Sequence, residues 1–178
     1  PYNPYAKAED PRKGIYRPIG INRTGVMAIC QIRNGVPEKA KGIEWICFGS
    51  TSFNTVLPVY TQVSRLPKYL TDVTQDVSTD NFYWNSRMIA AMADAAYSKS
   101  VFHIERYQLA AASAGHANIN TYDAKLRREQ DASARAALRE QANEAMADTI
   151  RGLAADTLDK VLYELSCQMK NCYSRSDA

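Results

Sequence analysis

Asn22 and Arg23 stand directly before an apolar stretch that begins at Thr24. An arginine at the mouth of a sheet strand is costly to desolvate unless it meets a carboxylate or an anion. A structural ion pair would satisfy it, and so would a substrate carboxylate or a developing oxyanion. Four cysteines, Cys30, Cys47, Cys167 and Cys172, are the potential nucleophiles or metal ligands, but their spacing fits neither a zinc site nor a redox pair. They read as buried or half-buried free thiols of a reducing compartment. His103 and His116 are thirteen residues apart on different elements and read as surface or cap histidines. Asp72, Asp76 and Asp80 recur every four residues. Three carboxylates could hold a hard cation, yet the calcium-loop pattern is missing, and turn formation with helix capping explains them as well. No glycine-rich phosphate loop is present. Neither a metal nor a cofactor is therefore expected.

The elements that must position these groups come in two blocks. Residues 24–33 and 42–50 read as a β-hairpin, with Asn34, Gly35 and Pro37 in its loop. Val26, Ala28, Cys30 and Ile32 fall on one face of the first strand, Met27 and Ile29 on the other. The second strand puts Ile43, Trp45 and Cys47 on one face and Ile46 and Phe48 on the other. Apolar residues on both faces predict a sheet covered on both sides. Residues 55–63 read as an edge strand or extended segment, because Pro58 cannot donate to a ladder. Arg65 to Leu70 reads as a short turn or helical piece.

Helices follow. Ser78, Thr79 and Asp80 are N-cap candidates for a helix that carries Phe82, Met88, Ile89 and Met92 to about Ala96. The neighbouring aromatics Phe82, Tyr83 and Trp84 point all round that helix, which suits burial on several sides or the lining of a pocket. A second helix is predicted over about 98–113, broken at Ala114-Gly115-His116-Ala117. Residues 121–173 are rich in strong helix formers, with an apolar stripe from Met146 to Met169. A break near Gly152 and an outward projection over Leu126 to Ala137 are expected.

The chain has 178 residues, 46% apolar and 23% charged, enough for one domain with a core. A net charge of +3 with interleaved acids and bases argues against a nucleic-acid partner. No apolar run approaches the ~20 residues of a membrane span. The chain opens on Pro1 rather than Met, so a piece of a longer protein is expected, with residues 1–19 as an arm or connecting loop.

Six segments occur in an order that resembles a known family. They are Gly20-Ile21-Asn22-Arg23-Thr24 with the strand Met27–Arg33; Gly42-Ile43-Glu44-Trp45-Ile46-Cys47-Phe48-Gly49-Ser50; Tyr60-Thr61-Gln62-Val63; Ser78-Thr79-Asp80-Asn81-Phe82-Tyr83-Trp84; and Gly115-His116-Ala117-Asn118-Ile119-Asn120. Together they resemble the C-terminal part of bacterial cysteine dipeptidases of the dipeptidase A type, relatives of secernins and, more distantly, of penicillin V acylase and bile salt hydrolase. The resemblance covers about residues 15–122 and weakens in the terminal helices. It implies an α+β fold, the C-terminal piece of a four-layer αββα N-terminal-nucleophile hydrolase sandwich, with residues 20–178 forming a segment of the peptidase domain (20–70 mainly sheet, 80–175 mainly helical).

The implied activity is dipeptide hydrolysis through an acyl-enzyme, by a cysteine whose own α-amine is the base. That cysteine is absent here, since all four thiols are internal. The chain is then expected to be inactive alone, with a dipeptide and the missing N-terminal half of the same protein as partners. Arg23, with Asn22 as a weaker neighbour, is the one position carried over from the acylase relatives, beside the nucleophile. Free thiols of a reducing compartment point to a cytoplasmic location, and any export signal would lie in the missing half. Uncovered sheet surface would favour homo-oligomers. The alternative is a non-enzymatic helical interaction or oligomerisation module that docks through the Met146–Met169 stripe.

Overall fold

A computed structural model of the protein describes residues 24–169. Three strands form an antiparallel sheet in the order β1-β2-β3: β1 Val26–Ile32, β2 Gly42–Phe48 and β3 Leu57–Tyr60. Four helices follow: α1 Lys68–Thr71, α2 Phe82–Ala95, α3 Tyr97–Arg128 and α4 Ala132–Ser166. The chain is thus α+β, sheet first and helices after. Among the described residues, no helix is long and apolar enough to cross a membrane.

The hairpin pairs Val26 with Phe48 through to Ile32 with Gly42, so Cys30 faces Glu44 and Cys47 faces Met27. Gly35, at φ +74°, turns the chain between the strands. In β3 the outward-facing positions are Pro58 and Tyr60, because the Thr61 N–H donates back to the Gly42 carbonyl (3.3 Å) and the backbone groups alternate. Pro58 therefore loses no ladder bond. The Tyr60 N–H donates to Asn143 Oδ1 of α4 (2.8 Å), and Asn143 Nδ2 donates to the Tyr60 carbonyl (3.1 Å). One carboxamide replaces a neighbouring strand, and α4 closes that edge of the sheet.

The long helices α3 and α4 form an antiparallel hairpin across Glu129-Gln130-Asp131. Glu129 Oε1 accepts from the Gln130 and Asp131 N–H groups, and Asp131 Oδ1 caps α4 through the Ala134 N–H (2.7 Å). Ile104, Tyr107, Ala111, Gly115, Ile119, Asp123 and Leu126 are the buried stripe of α3. One core gathers Leu57, Val59, Tyr69, Phe82, Ile89, Tyr107, Met146 and Ile150 between β3 and the helices. A second gathers Ile43, Trp45, Tyr60, Ile119, Leu126 and Ala142.

Several sequence expectations are corrected. The cap of α2 is Asn81, whose Oδ1 accepts from the Trp84 N–H (2.8 Å); Ser78 and Asp80 bond each other one turn earlier. Gly115 does not break a helix. A Cβ there would lie 2.8 Å from Pro58 Cδ and 3.2 Å from Trp45 Cζ3, so glycine lets α3 cross the sheet at close range. The break falls at residues 129–131, and α4 runs through Gly152, which faces open space. Leu126, expected to project outward, is fully buried. The apolar stripe expected from Met146 to Met169 is only partly used: Met146, Ile150 and Val161 of α4 are buried, whereas Leu162 of α4 and Met169, beyond its end, are exposed. Double-sided covering holds for β2 and β3 but not for β1, where Val26 is 61%, Ile29 51% and Ile32 85% exposed. No other described element pairs with its outer edge.

Replacing Gly115 by Ala raises intrinsic helix propensity by up to ~1 kcal/mol but forces a methyl group against a rigid proline ring. Overpacking of this kind costs ~1–3 kcal/mol. The variant is expected to unfold at lower urea concentration than the wild type, while Gly152→Ala, which meets no neighbour, should unfold at equal or higher concentration.

Candidate functional site

Asn22 and Arg23 lie outside the described residues. The residue that follows them, Thr24, opens a cavity of about 380 Å³ at the end of the sheet. Its walls come from the start of β1 (Thr24, Gly25), the turn after β2 (Gly49, Ser50, Phe53) and one face of α2 (Arg87, Ala90, Ala91, Asp94). The local sequence explains the shape. The Gly49 N–H donates to the Gly25 carbonyl (2.9 Å) and closes the ladder. Gly49 then turns away at φ +74°, where a Cβ would also strike Asn54 Nδ2 at 2.9 Å. The Ser50 carbonyl accepts from the N–H groups of Phe53 and Asn54 and from Asn54 Nδ2, winding the turn tightly. Ser50 Oγ and Asn54 Oδ1 are buried at this turn and make no hydrogen bond among the described residues.

Arg87 and Asp94 are seven residues apart on α2 and share one face. The cavity thus offers one cation, one anion and a buried hydroxyl. A small zwitterion or a short peptide segment matches such a set. Nothing there resembles a metal centre, and among the described residues no group of three His, Cys, Asp or Glu side chains is placed to hold an ion. Asp72, Asp76 and Asp80 are not brought together: Asp72 accepts from Thr71 and Asp80 from Ser78.

A second polar cluster was not foreseen from the sequence. Arg33, one residue beyond β1, reaches Asp123 on α3 with both terminal nitrogens (2.6 and 3.1 Å) and donates a further bond to the Ala40 carbonyl (2.6 Å). The Tyr60 hydroxyl donates to the same carboxylate (2.8 Å). Burial, and then the bond to Asp123, raise the Tyr60 pKa well above the phenolic range. The signal was available. Asp123 interrupts the buried stripe of α3, and a carboxylate at such a position needs a cation. Arg33 Nε finds no partner among the described residues, but both terminal nitrogens of Arg33 and both oxygens of Asp123 are engaged, which makes this cluster a structural clamp.

The remaining candidates are dispersed. Cys30 and Cys167 are exposed, against the expectation of burial; Cys47 is buried, and Cys172 lies outside the described residues. Burial pushes the Cys47 thiol up from 9.0 to about 11. His103 pairs with Glu164 (3.5 Å), and His116 sits against the Trp45 ring (5.1 Å between centroids). Phe82 is core, while Tyr83 and Trp84 are half-buried beside it.

The architecture is α+β, with a cavity where the first strand begins. The profile of Peptidase family C69 matches residues 1–110. A probable dipeptidase A of Streptococcus pyogenes serotype M18 is 38% identical over 177 residues, 99% of this chain and 36% of that protein. A dipeptidase of Bifidobacterium longum is 32% identical over 215 residues, 99% of this chain and 40% of that protein. Dipeptidase A of Lactobacillus helveticus is 37% identical over 98 residues, 54% of this chain and 20% of that protein. The chain belongs to Peptidase family C69. It spans well under half the length of the curated relatives it matches.

Two outcomes follow. Asp123→Ala strands Arg33 and the Tyr60 hydroxyl and should cost ~3–5 kcal/mol in urea unfolding, with Asp123→Asn less damaging because it keeps an acceptor. The neutral Cys47 thiol gives a pH dependence. Its folded pKa lies above its unfolded value, so the stability it lends is complete below pH 9 and is lost as pH rises through about 11. That loss should amount to about 2–3 kcal/mol, seen as a decline in unfolding midpoint that is steeper in the wild type than in Cys47→Ala.

Proposed function

We propose that this chain is the C-terminal segment of a cysteine-type dipeptidase whose nucleophile lies elsewhere in the parent polypeptide. The observation that carries this reading is the alignment of nearly the whole chain with proteins named dipeptidases. Within that reading, residues 20–178 form one part of a peptidase domain. The three-stranded sheet and its helices would be this chain's share of an αββα sandwich, and the rest would come from the remainder of the parent.

The chemistry follows from the nucleophile class. A thiolate attacks the peptide carbonyl while an amine takes the thiol proton. The tetrahedral oxyanion collapses, the C–N bond breaks, and the leaving amine takes up the proton. Water then hydrolyses the thioester. No described cysteine here suits that role: each is internal and lacks a free α-amine, and Cys47 is buried and protonated at neutral pH. The chain would instead contribute Arg23, with Asn22 beside it, as positive charge and donor near the oxyanion. The cavity opened by Thr24 lies next in the chain to that pair. Arg87 and Asp94 on its wall have the charges to meet the carboxylate and ammonium of a dipeptide.

The helical-module alternative gains no support, because Met146, Ile150 and Val161 are already buried in the chain's own core. Assayed alone against a panel of dipeptides, the chain should show no thiol-dependent turnover; clear turnover would overturn the proposal. In the parent polypeptide, Arg23→Ala should lower kcat/KM by roughly a hundredfold, the usual loss for one oxyanion-stabilising donor.

A further inference from the structure

Two arginines of α4 stand without a counter-charge. Arg139 is only 5% exposed. Its Nε donates to the Gln62 carbonyl (2.8 Å), while Nη1 and Nη2 make no hydrogen bond among the described residues and reach the surface. The carbonyl accounts for one N–H and for none of the charge. Burial lowers the Arg139 pKa, the direction expected of a cation whose desolvation is not compensated. Arg135 lies one turn earlier. Its Nε is enclosed and finds no partner among the described residues. Neither arginine enters an ion pair among those residues. A spacing of four places the two side chains on one face of the helix, where like charges repel. The acids nearby are committed elsewhere. Glu140 accepts from the Ser64 N–H and from Arg65 (both 3.1 Å). Asp123 is held by Arg33 and Tyr60, Glu38 pairs with Lys41, and Glu129 and Asp131 accept from backbone N–H groups of their own turn.

We propose that Arg135 and Arg139 form a binding site for a phosphate group, free or as the monoester of a small molecule. The pair is costly as it stands: one cation is desolvated, and the two repel. A single anion held between them relieves both. A carboxylate carries one charge, and one guanidinium fork takes both of its oxygens, which leaves the second arginine as it was. A phosphate group carries nearly two charges at neutral pH and has oxygens for both forks. The surrounding field draws in the same kind of ligand. The hairpin loop (residues 33–41) and the ends of α3 and α4 that pack on it (residues 122–139) hold eight bases against four acids, an excess larger than the whole chain's net charge of +3. This end of the sheet is separated by the length of β1 from the cavity at Thr24. The site is therefore distinct from the dipeptide cavity, and it does not rest on the dipeptidase reading.

Calorimetric titration in chloride buffer at constant ionic strength tests the site, with inorganic phosphate and glycerol 3-phosphate as probes. At least one of them should bind the chain with one-to-one stoichiometry, and acetate should bind far more weakly. Binding of both marks the phosphate group itself as the ligand, and binding of one alone marks its source; either supports the site. Arg135→Gln should weaken binding roughly tenfold or more, the worth of a lost charge-assisted hydrogen bond. Arg139→Lys keeps the charge but loses the fork, and should weaken binding as well. Arg128→Gln removes an exposed base of the same end and should leave affinity nearly unchanged. Urea unfolding separates binding from a folding defect. Without phosphate, Arg135→Gln should unfold at the same urea concentration as the wild type or a higher one, because repulsion is relieved. With phosphate, the wild type should gain stability and the variant should not. Absence of one-to-one binding would sink the proposal, and is the outcome if an acidic side chain outside the described residues already holds the pair. An equal loss from Arg128→Gln would also sink it, since the attraction would then be diffuse. So would an Arg135→Gln chain destabilised to the same extent with and without phosphate, which would make Arg135 a purely structural residue.

Discussion

Tyr60 is held from four directions, and the relative positions of the elements depend on it. Its backbone is bound on one side to Asn143 of α4. On the other side β3 pairs with β2, where Tyr60 faces Ile43. Its hydroxyl donates to Asp123 of α3, and the Arg33 guanidinium that neutralises Asp123 lies 5.5 Å from the Tyr60 ring centre. One residue thus ties the end of β1, the middle of the sheet and both long helices. The energetics favour a single arrangement. A buried carboxylate stripped of its cation, or a peptide group stripped of its partner, costs several kcal/mol. Sliding α3 by one turn would break the bonds to Asp123, and sliding α4 those to Asn143. Apolar packing brings α3 and α4 onto the sheet, and the polar contacts at Tyr60 fix the register.

The consequence is an asymmetric sheet. All the covering layers are drawn to β2 and β3, where the clamp lies. β1 is nevertheless fastened at both ends, by the Gly25–Gly49 bond at one and by Arg33 at the other. Its conformation is therefore set at both ends. The rigidity of the clamp and the exposure of β1 among the described residues are two results of the same placement of helices.

Much of this was legible from residue types. Alternation located β1 and β2 to within two residues, and Pro58 marked β3 as an edge. The polar run before Phe82 marked the start of α2, although the cap proved to be Asn81. What misled was glycine. Gly115 and Gly152 read as breaks because glycine lowers helix propensity. At Gly115, however, the missing Cβ is what allows Pro58 and Trp45 to lie against the helix, and that pairing joins residues over fifty positions apart. Propensity is local and cannot register it. The true break at residues 129–131 carries neither glycine nor proline; its turn is held by Glu129 and Asp131 side chains, which look like ordinary helix residues. Two-sided apolarity matched two-sided cover on β2 and β3 but not on β1, whose apolar side chains are exposed. The Arg33–Asp123 pair spans ninety residues and could be suspected only from Asp123 interrupting a buried stripe. For Asn22 and Arg23 the outcome is different: they lie outside the described residues, and only the cavity beginning at Thr24 bears on them.

The cavity and the exposed strand meet at the same residues. Thr24 and Gly25 line the cavity, and Val26 begins the exposed strand. In the dipeptidase reading the nucleophile would come to this end of the sheet from the remainder of the parent, and the site would be complete only with both in place. Water exclusion strengthens the attraction between a guanidinium and a developing oxyanion, since that attraction scales inversely with the local dielectric. An arginine at an open strand end is solvated and weak; in a site closed around substrate it becomes an effective electrostatic group. In the proposed enzyme, folding of the two parts and assembly of the active site would then be one process, and a segment carrying the electrostatic half of a site without the nucleophilic half would be stable in itself yet catalytically silent.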